Sequence, residues 1–250
     1  MQLTIKRIIV LGAVLVAWGE VAPGAAWAQG AALDDDDGLT PGVNATVTSQ
    51  EPSAQFGFGV RLRQVYILEP ILELFFGDVP GSTANFGIGG EFIRRKGNFA
   101  LTLGIEYDKL AAAEGLWLEK GDHAPMDEPD LIEFQDFGWI GLDINFMWQA
   151  NLGRMFGIRY GAGLGIALVL GEVLHTDYRC TTSELSLSTC DRSPVLENDR
   201  TPDEDIPPVF PIVNMVLGVE FRPIDSIAIN IEGGLRSLFP FAGASAAYLF

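Results

Sequence analysis

The sequence predicts an all-β fold: a closed, antiparallel, up-and-down β-barrel of about eight strands that crosses a membrane. Three observations carry the prediction. Between residues 56 and 250, eight segments alternate apolar residues with glycine or polar residues. Tight turns and long connections take turns between those segments. Finally, a hydrophobic content of 48% and a mean hydropathy of +0.23 coexist with a formal charge of −17. An acidic soluble domain ordinarily has a negative mean hydropathy. The 29 glycines and 16 phenylalanines point the same way, because glycine weakens helix interiors.

The first element is a leader. Lys6 and Arg7 precede the apolar run IIVLGAVLVAWG, and Ala26-Trp27-Ala28 forms an A-x-A cleavage site. Residues 1–28 therefore read as a secretory signal peptide cut after Ala28. Glu20 interrupts the run, leaving it short for a spanning helix. The absence of a cysteine at the cleavage site excludes lipoprotein processing. No other stretch approaches the roughly 18 apolar residues of a membrane helix. Residues 29–55 are polar and aperiodic, with Asp34 to Asp37 in a row. They read as a disordered acidic lead-in on the periplasmic side.

The barrel is expected over 56–250. In FGFGVRL, Phe56, Phe58, Val60 and Leu62 share a face opposite Gly57, Gly59, Arg61 and Arg63, the last just beyond the heptapeptide. ANFGIGGEFIRR sets Phe86, Ile88 and Phe92 against Gly87, Gly89 and Glu91. NFALTLGIEYD sets Leu101, Leu103, Ile105 and Tyr107 against Thr102, Gly104, Glu106 and Asp108. GWIGLDINFMWQ, MFGIRYGAGLGIALVL, VNMVLGVEFR and IAINIEGGLR repeat the pattern, and FAGASAAYLF closes the chain with Ala242, Ala244, Ala246, Tyr248 and Phe250 on one face. A period of two is the strand signature.

The connections give the topology. RKG, NLGR and PIDS are tight, whereas the links from Leu68 to Thr83, Lys109 to Glu133 and Gly171 to Pro208 are long; the last link, around SLFP, is short. Tight turns on the periplasmic side and long loops outside are the plan of a transmembrane up-and-down barrel. Several segments reach about ten residues, enough for a tilted strand to cross a bilayer. The tight turns are basic, with Arg94, Arg95, Lys96, Arg154 and Arg222, and the long loops are acidic. Cys180 and Cys190 lie in the third long loop. In an exported chain they read as one disulfide closing a short loop.

These features resemble the small eight-stranded outer-membrane β-barrels of Gram-negative bacteria, the class of the outer membrane protein A barrel. The resemblance covers residues 56–250. It rests on the leader, the eight alternating segments, the turn pattern and the terminal Phe250. It implies residence in the cell outer membrane, with the N-terminal segment in the periplasm. It also implies that Tyr248 and Phe250 form the signal read by the barrel-assembly machinery. Further implied surroundings are outer-membrane lipid and lipopolysaccharide, with divalent cations at the acidic loops, around a monomer.

Inward-facing charges are expected at Arg61, Arg63, Glu91, Glu106, Asp143, Arg159, Glu220, Glu232 and Arg236. In a low-dielectric lumen opposite charges must pair. They form either a salt-bridged plug or the gate of a narrow ion path, and the plug is the expectation. Inward glycines leave room for long arginine and glutamate side chains; the same room would serve a water-filled channel. Trp139, Trp148, Tyr107, Tyr160, Tyr248 and Phe250 are expected in interfacial aromatic girdles. The stretch EPILELFFG is expected as an amphipathic segment at the outer interface, or as an extension of the first hairpin, with an apolar ligand contact the lesser alternative.

The chemistry-bearing motifs are sparse. His123 and His175 lie in outer loops, where a surface lipid or peptide hydrolase would carry them, for example as a His175/Ser183 pair. No defining motif surrounds either residue, so no enzyme is expected. No cofactor or metal spacing appears, and no basic nucleic-acid patch. GAGLG follows strand alternation without opening a helix, so it is not a nucleotide loop. The expected function is structural or surface-interacting, with a narrow ion or small-solute pore as the alternative.

Overall fold

Alternation with a period of two commits each segment to one wet or packed face and one apolar face. A computed structural model shows how these faces are used; it describes residues 53–193, 199–203 and 206–250. The leader and nearly all of the lead-in lie outside the described residues. Within them the strands are β1 (Gln55–Ile67), β2 (Phe76–Asp78), β3 (Thr83–Lys96), β4 (Phe99–Lys109), β5 (Gly115–Glu119) and β6 (Asp130–Asn151). They continue with β7 (Phe156–Cys180), β8 (Cys190–Arg192), β9 (Thr201–Pro202), β10 (Val209–Ile224), β11 (Ile227–Arg236) and β12 (Phe239–Leu249). One short helix, α1 (Glu69–Leu72), follows β1.

Eight of these strands close a barrel in the order β1-β3-β4-β6-β7-β10-β11-β12, and β12 pairs back onto β1. Every pairing is antiparallel, and each of the eight predicted segments is one barrel strand. The closing seam runs from Gly57 opposite Leu249 to Val65 opposite Phe241. It extends one residue further: Phe56 and Phe250 exchange backbone hydrogen bonds of 3.0 and 2.7 Å. The last residue therefore belongs to the seam. No edge is left unpaired around the barrel, which satisfies the backbone within a bilayer.

The apolar face points outward. Phe58, Val60, Leu217 and Ile231 are each more than 60% exposed, and Phe86, Ile105, Leu142, Leu164 and Met215 extend the belt around the wall. Water would not tolerate a contiguous apolar belt of this size, whereas lipid requires one.

The long connections depart from the sequence expectation, because they are not simple loops. β6 and β7 run 22 and 25 residues and stay paired from Asp130 opposite Asp177 to Asn151 opposite Gly157. They continue well past the barrel rim. β5 adds to β6, β2 adds to β5, and β8 and β9 add to β7, making a raised sheet above the outer mouth. A register shift between Gln135 and Gly138 marks the exit from the barrel. There Asp136 and Gly171 both take positive φ, 49° and 76°. A Cβ at Gly171 would run into the Asp136 carbonyl, so the bend depends on glycine.

EPILELFFG departs from the first of its two expected placements, along the outer interface. Pro70 sits in the first turn of α1, a position that needs no backbone N–H. Leu72 and Phe76 then turn inward and are buried over the mouth, leaving Leu74 exposed. The segment is a flap across the barrel top and not a strip along the membrane interface.

Candidate functional site: the lumen and its outer mouth

Inward positions of neighbouring strands stack into layers, so residues distant in sequence meet across the axis. In the middle layer Arg61 donates to both oxygens of Asp143 at 3.2 and 2.6 Å and pairs through Nε with Glu106. Arg63 reaches Glu106 at 3.0 Å and Glu232 at 3.5 Å. Arg236, fully buried, pairs with Asp108 at 3.1 Å and Asp143 at 3.2 Å. Amides complete the layer: Asn145 donates to Asp143 at 2.6 Å and Asn214 donates to Asn145 at 3.0 Å. Three guanidinium groups are thus interlocked with four carboxylates, and Asp143 and Glu106 each bridge two arginines.

Inward glycines make this layer fit. A Cβ at Gly104 would fall on the Arg61 guanidinium, and one at Gly141 would come within 2.5 Å of an Arg236 nitrogen. The absent side chains at these positions are the space that the arginines occupy.

A second polar layer lies toward the periplasmic end. Glu220 accepts from Arg95 at 2.9 Å and from Gln149 at 2.6 Å, and pairs with Arg222 at 2.9 Å. Arg159 is buried nearby and acts electrostatically on Glu91, which is also buried. All nine charges expected inside are therefore in the lumen. Asp108 and Arg95 join the paired networks and were not among them. Arg95 was expected among basic turn residues, but it is one step out of phase with exposed Arg94 and Lys96, and so turns inward. Parity alone could have found both.

Parity also corrects the girdle. Trp148, Tyr107, Tyr160, Tyr248 and Phe250 face outward, and Trp148 stacks on Tyr160, as Tyr248 does on Phe250. Trp139 does not join them: it is 5% exposed and donates its indole N–H to Asp108 at 2.5 Å. It shares the inward phase of Asp143, four residues on, which excludes it from the lipid face.

Above the charged layer the lumen changes character. Arg63 lies over the Phe241 ring at 4.3 Å and Arg236 over Trp139 at 5.8 Å. Beyond these rings is an apolar cavity of about 230 Å³, walled by Trp117, Phe134, Phe137, Phe210 and Phe239 and covered by Leu72 and Phe76. A smaller cavity of about 30 Å³ lies by Arg95 and Glu220. The middle charged layer lies between the two.

The outer histidines are placed in ordinary structure. His175 is a ladder residue of β7, opposite Ile132 and Thr201. Ser183 is exposed beyond Cys180. His123 donates its backbone N–H to Asp127 at 2.8 Å, which fixes a turn. Cys180 and Cys190 are opposed in the β7–β8 pairing and form the expected disulfide. Outer-surface arginines 179, 192 and 200 pair with Glu128, Asp199 and Glu133. Among the described residues no group of three or more His, Cys, Asp or Glu is placed to hold a metal ion.

A closed eight-stranded wall, an apolar belt outside and a polar lumen decide the architecture. The molecule is a transmembrane β-barrel. No family model matches the sequence, and no curated protein is similar to it in sequence. Among solved structures it is similar to Neisserial surface protein A, with 8% identity and a TM-score of 0.44 over 79% of this chain and 99% of that one. It is also similar to Ail, the attachment invasion locus protein of Yersinia pestis, with 9% identity and a TM-score of 0.34 over 80% and 99% of the two chains. Ail has also been solved in complex with the heparin analogue sucrose octasulfate.

Proposed function

We propose that this is a closed outer-membrane barrel with a structural or surface-interaction role, plugged at mid-lumen and working through the sheet raised above its outer mouth. The observation that carries this reading is the interlocking of Arg61, Arg63 and Arg236 with Glu106, Asp108, Asp143 and Glu232 across a lumen of only eight strands. An ion would have to displace charge-assisted bonds that each serve two partners. The raised sheet supplies the exposed face, and its acidic residues attract divalent cations as a diffuse surface toward lipopolysaccharide. Both termini of an even-stranded barrel lie on the periplasmic side, so the lead-in belongs there, and Tyr248 and Phe250 serve as the assembly signal at the seam. The barrel works as a monomer.

Planar-bilayer conductance of the refolded protein tests the plug. The expected record has no discrete steps at moderate voltage. Steady unit channels would overturn the plug and leave the pore as the function.

A further inference from the structure

The outer-mouth cavity is unlike the rest of the lumen. Its walls are aromatic and aliphatic, and the few polar groups at its edge include Glu119 and Ser237. Apolar cavities of this size stay dry and accept apolar molecules, because water finds no partners in them. The cavity is built, and is not a packing fault of one strand. Trp117 comes from β5, Phe134 from β6, Phe210 from β10 and Phe239 from β12, while α1 and β2 supply the cover.

Three observations define an occupant. First, the wall is lowest at the two-residue turn between β11 and β12, where Ser237 and Leu238 border the cavity; every other outer connection is longer. A slender molecule can enter there. Second, the Ser237 hydroxyl oxygen is buried without a hydrogen-bond partner, although its backbone N–H is tied to the Val213 carbonyl at 2.6 Å. Such an orphan hydroxyl offers both a donor and an acceptor to a ligand. Third, no cation among the described residues lines the cavity, Glu119 does, and the surrounding loops are acidic. An anionic head would be repelled and poorly solvated.

We infer that this cavity binds a free, uncharged, single-chain amphiphile, its alkyl chain among the aromatic rings and its polar end on the Ser237 hydroxyl. The inference goes beyond the closed-barrel reading and is independent of it, since the mouth can be occupied whether or not the lumen conducts.

The test uses the full chain folded in phosphatidylcholine vesicles and titrated with terminally brominated undecanol, which quenches nearby tryptophan. Alcohol dissolved in the bilayer quenches outward-facing Trp148 in proportion to its concentration. Binding adds a saturable component from Trp117 and Trp139, which line the cavity. That component is expected to shrink in Trp117→Phe and to vanish in Ala112→Leu, which fills the cavity. Ser237→Gly, which keeps the positive φ of 56° accessible, is expected to weaken binding about two- to tenfold through the lost hydrogen bond. Bromoundecanoate above neutral pH is expected to bind at least about tenfold more weakly than the alcohol, because its charge would be buried without a partner. Heat-modifiable gel migration confirms that each variant is a barrel. Purely linear quenching in the parent protein, or a saturable component that survives Ala112→Leu in a folded barrel, overturns the inference. Saturating quenching of Trp117 and Trp139 by brominated vesicle lipid alone would replace the free amphiphile with a bilayer chain.

Discussion

The middle of the lumen and its outer mouth share barrel strands, yet they are held together in opposite ways. At mid-lumen every arginine is committed to named carboxylates, and even the glycines are shaped by the guanidinium groups that lie over them. At the mouth the contacts are mainly apolar; rings from several strands surround a space they do not fill. Charge in a low dielectric must be matched partner by partner, whereas apolar surface needs only to be removed from water. The first region should therefore fail as a unit, and the second should fail locally.

The sharpest break of this contrast is Arg236→Met. It leaves Asp108 and one side of Asp143 without their buried cation, at a cost of about 3–5 kcal/mol. Urea unfolding in vesicles, followed by heat-modifiable migration, measures it. Asp108→Asn in the same chain should recover part of the loss, since it removes the carboxylate left without its arginine, whereas Asp143 keeps Arg61. A cost below about 1 kcal/mol would mean that water reaches these carboxylates and that the middle layer resembles an open channel.

Gly104→Val addresses the same layer through its shape. The far end of an arginine ordinarily moves aside at little cost, but that of Arg61 is fixed to Asp143 and Glu106. The expected destabilisation is about 1–3 kcal/mol, read in the same unfolding assay. The equivalent change at Gly90, where an added Cβ meets only the Gly59 carbonyl oxygen at 3.8 Å, should cost much less.

Phase explains what could and could not be read from the chain. Within the bilayer the period of two is enforced at every residue, so the eight strands, the inward Arg61 and Glu106, and the outward Tyr248 and Phe250 were legible. Asp108 and Arg95 carried the same signal and needed only strict counting. Above the rim the enforcement ends. Leu116, Trp117 and Leu118 are buried in succession, as are Val173 and Leu174, because the raised sheet has no lipid face. Alternation is then lost, and strands read as loops. The cavity had a weaker signal still. Phe134, Phe210 and Phe239 are far apart in sequence, and only pairing register brings them to one height.

At the mouth, Trp117→Ala should act locally. It removes the ring packed edge-on against Phe76 at 4.9 Å, loosening the cover and the β5 pairing while the barrel wall stays intact. Protease cleavage within residues 68–130 should accelerate about tenfold or more, with heat-modifiable migration and the unfolding midpoint of the barrel nearly unchanged. Collapse of the whole barrel would show that mouth and middle are one cooperative unit.

The smallest effect concerns the raised sheet and acidity. Asp130 faces Asp177 directly across the β6–β7 pairing. Burial, followed by the Asp177 charge, pushes the Asp130 carboxyl up to about 7 from an ordinary value of 3.8. Between these values the folded sheet holds a proton that the unfolded segment has released. Its stability should therefore be greatest near the lower value, decline as pH rises through the window and level off above about 7. Amide exchange in β5 and the upper part of β6, corrected for intrinsic rates, should show protection falling across that range. Asp130→Asn keeps a donor toward Asp177 without a titrating proton, so its protection should stay flat and match that of the protonated parent. A parent profile that is already flat would mean that water solvates the pair and that the raised sheet, unlike the middle of the lumen, tolerates adjacent like charges without cost.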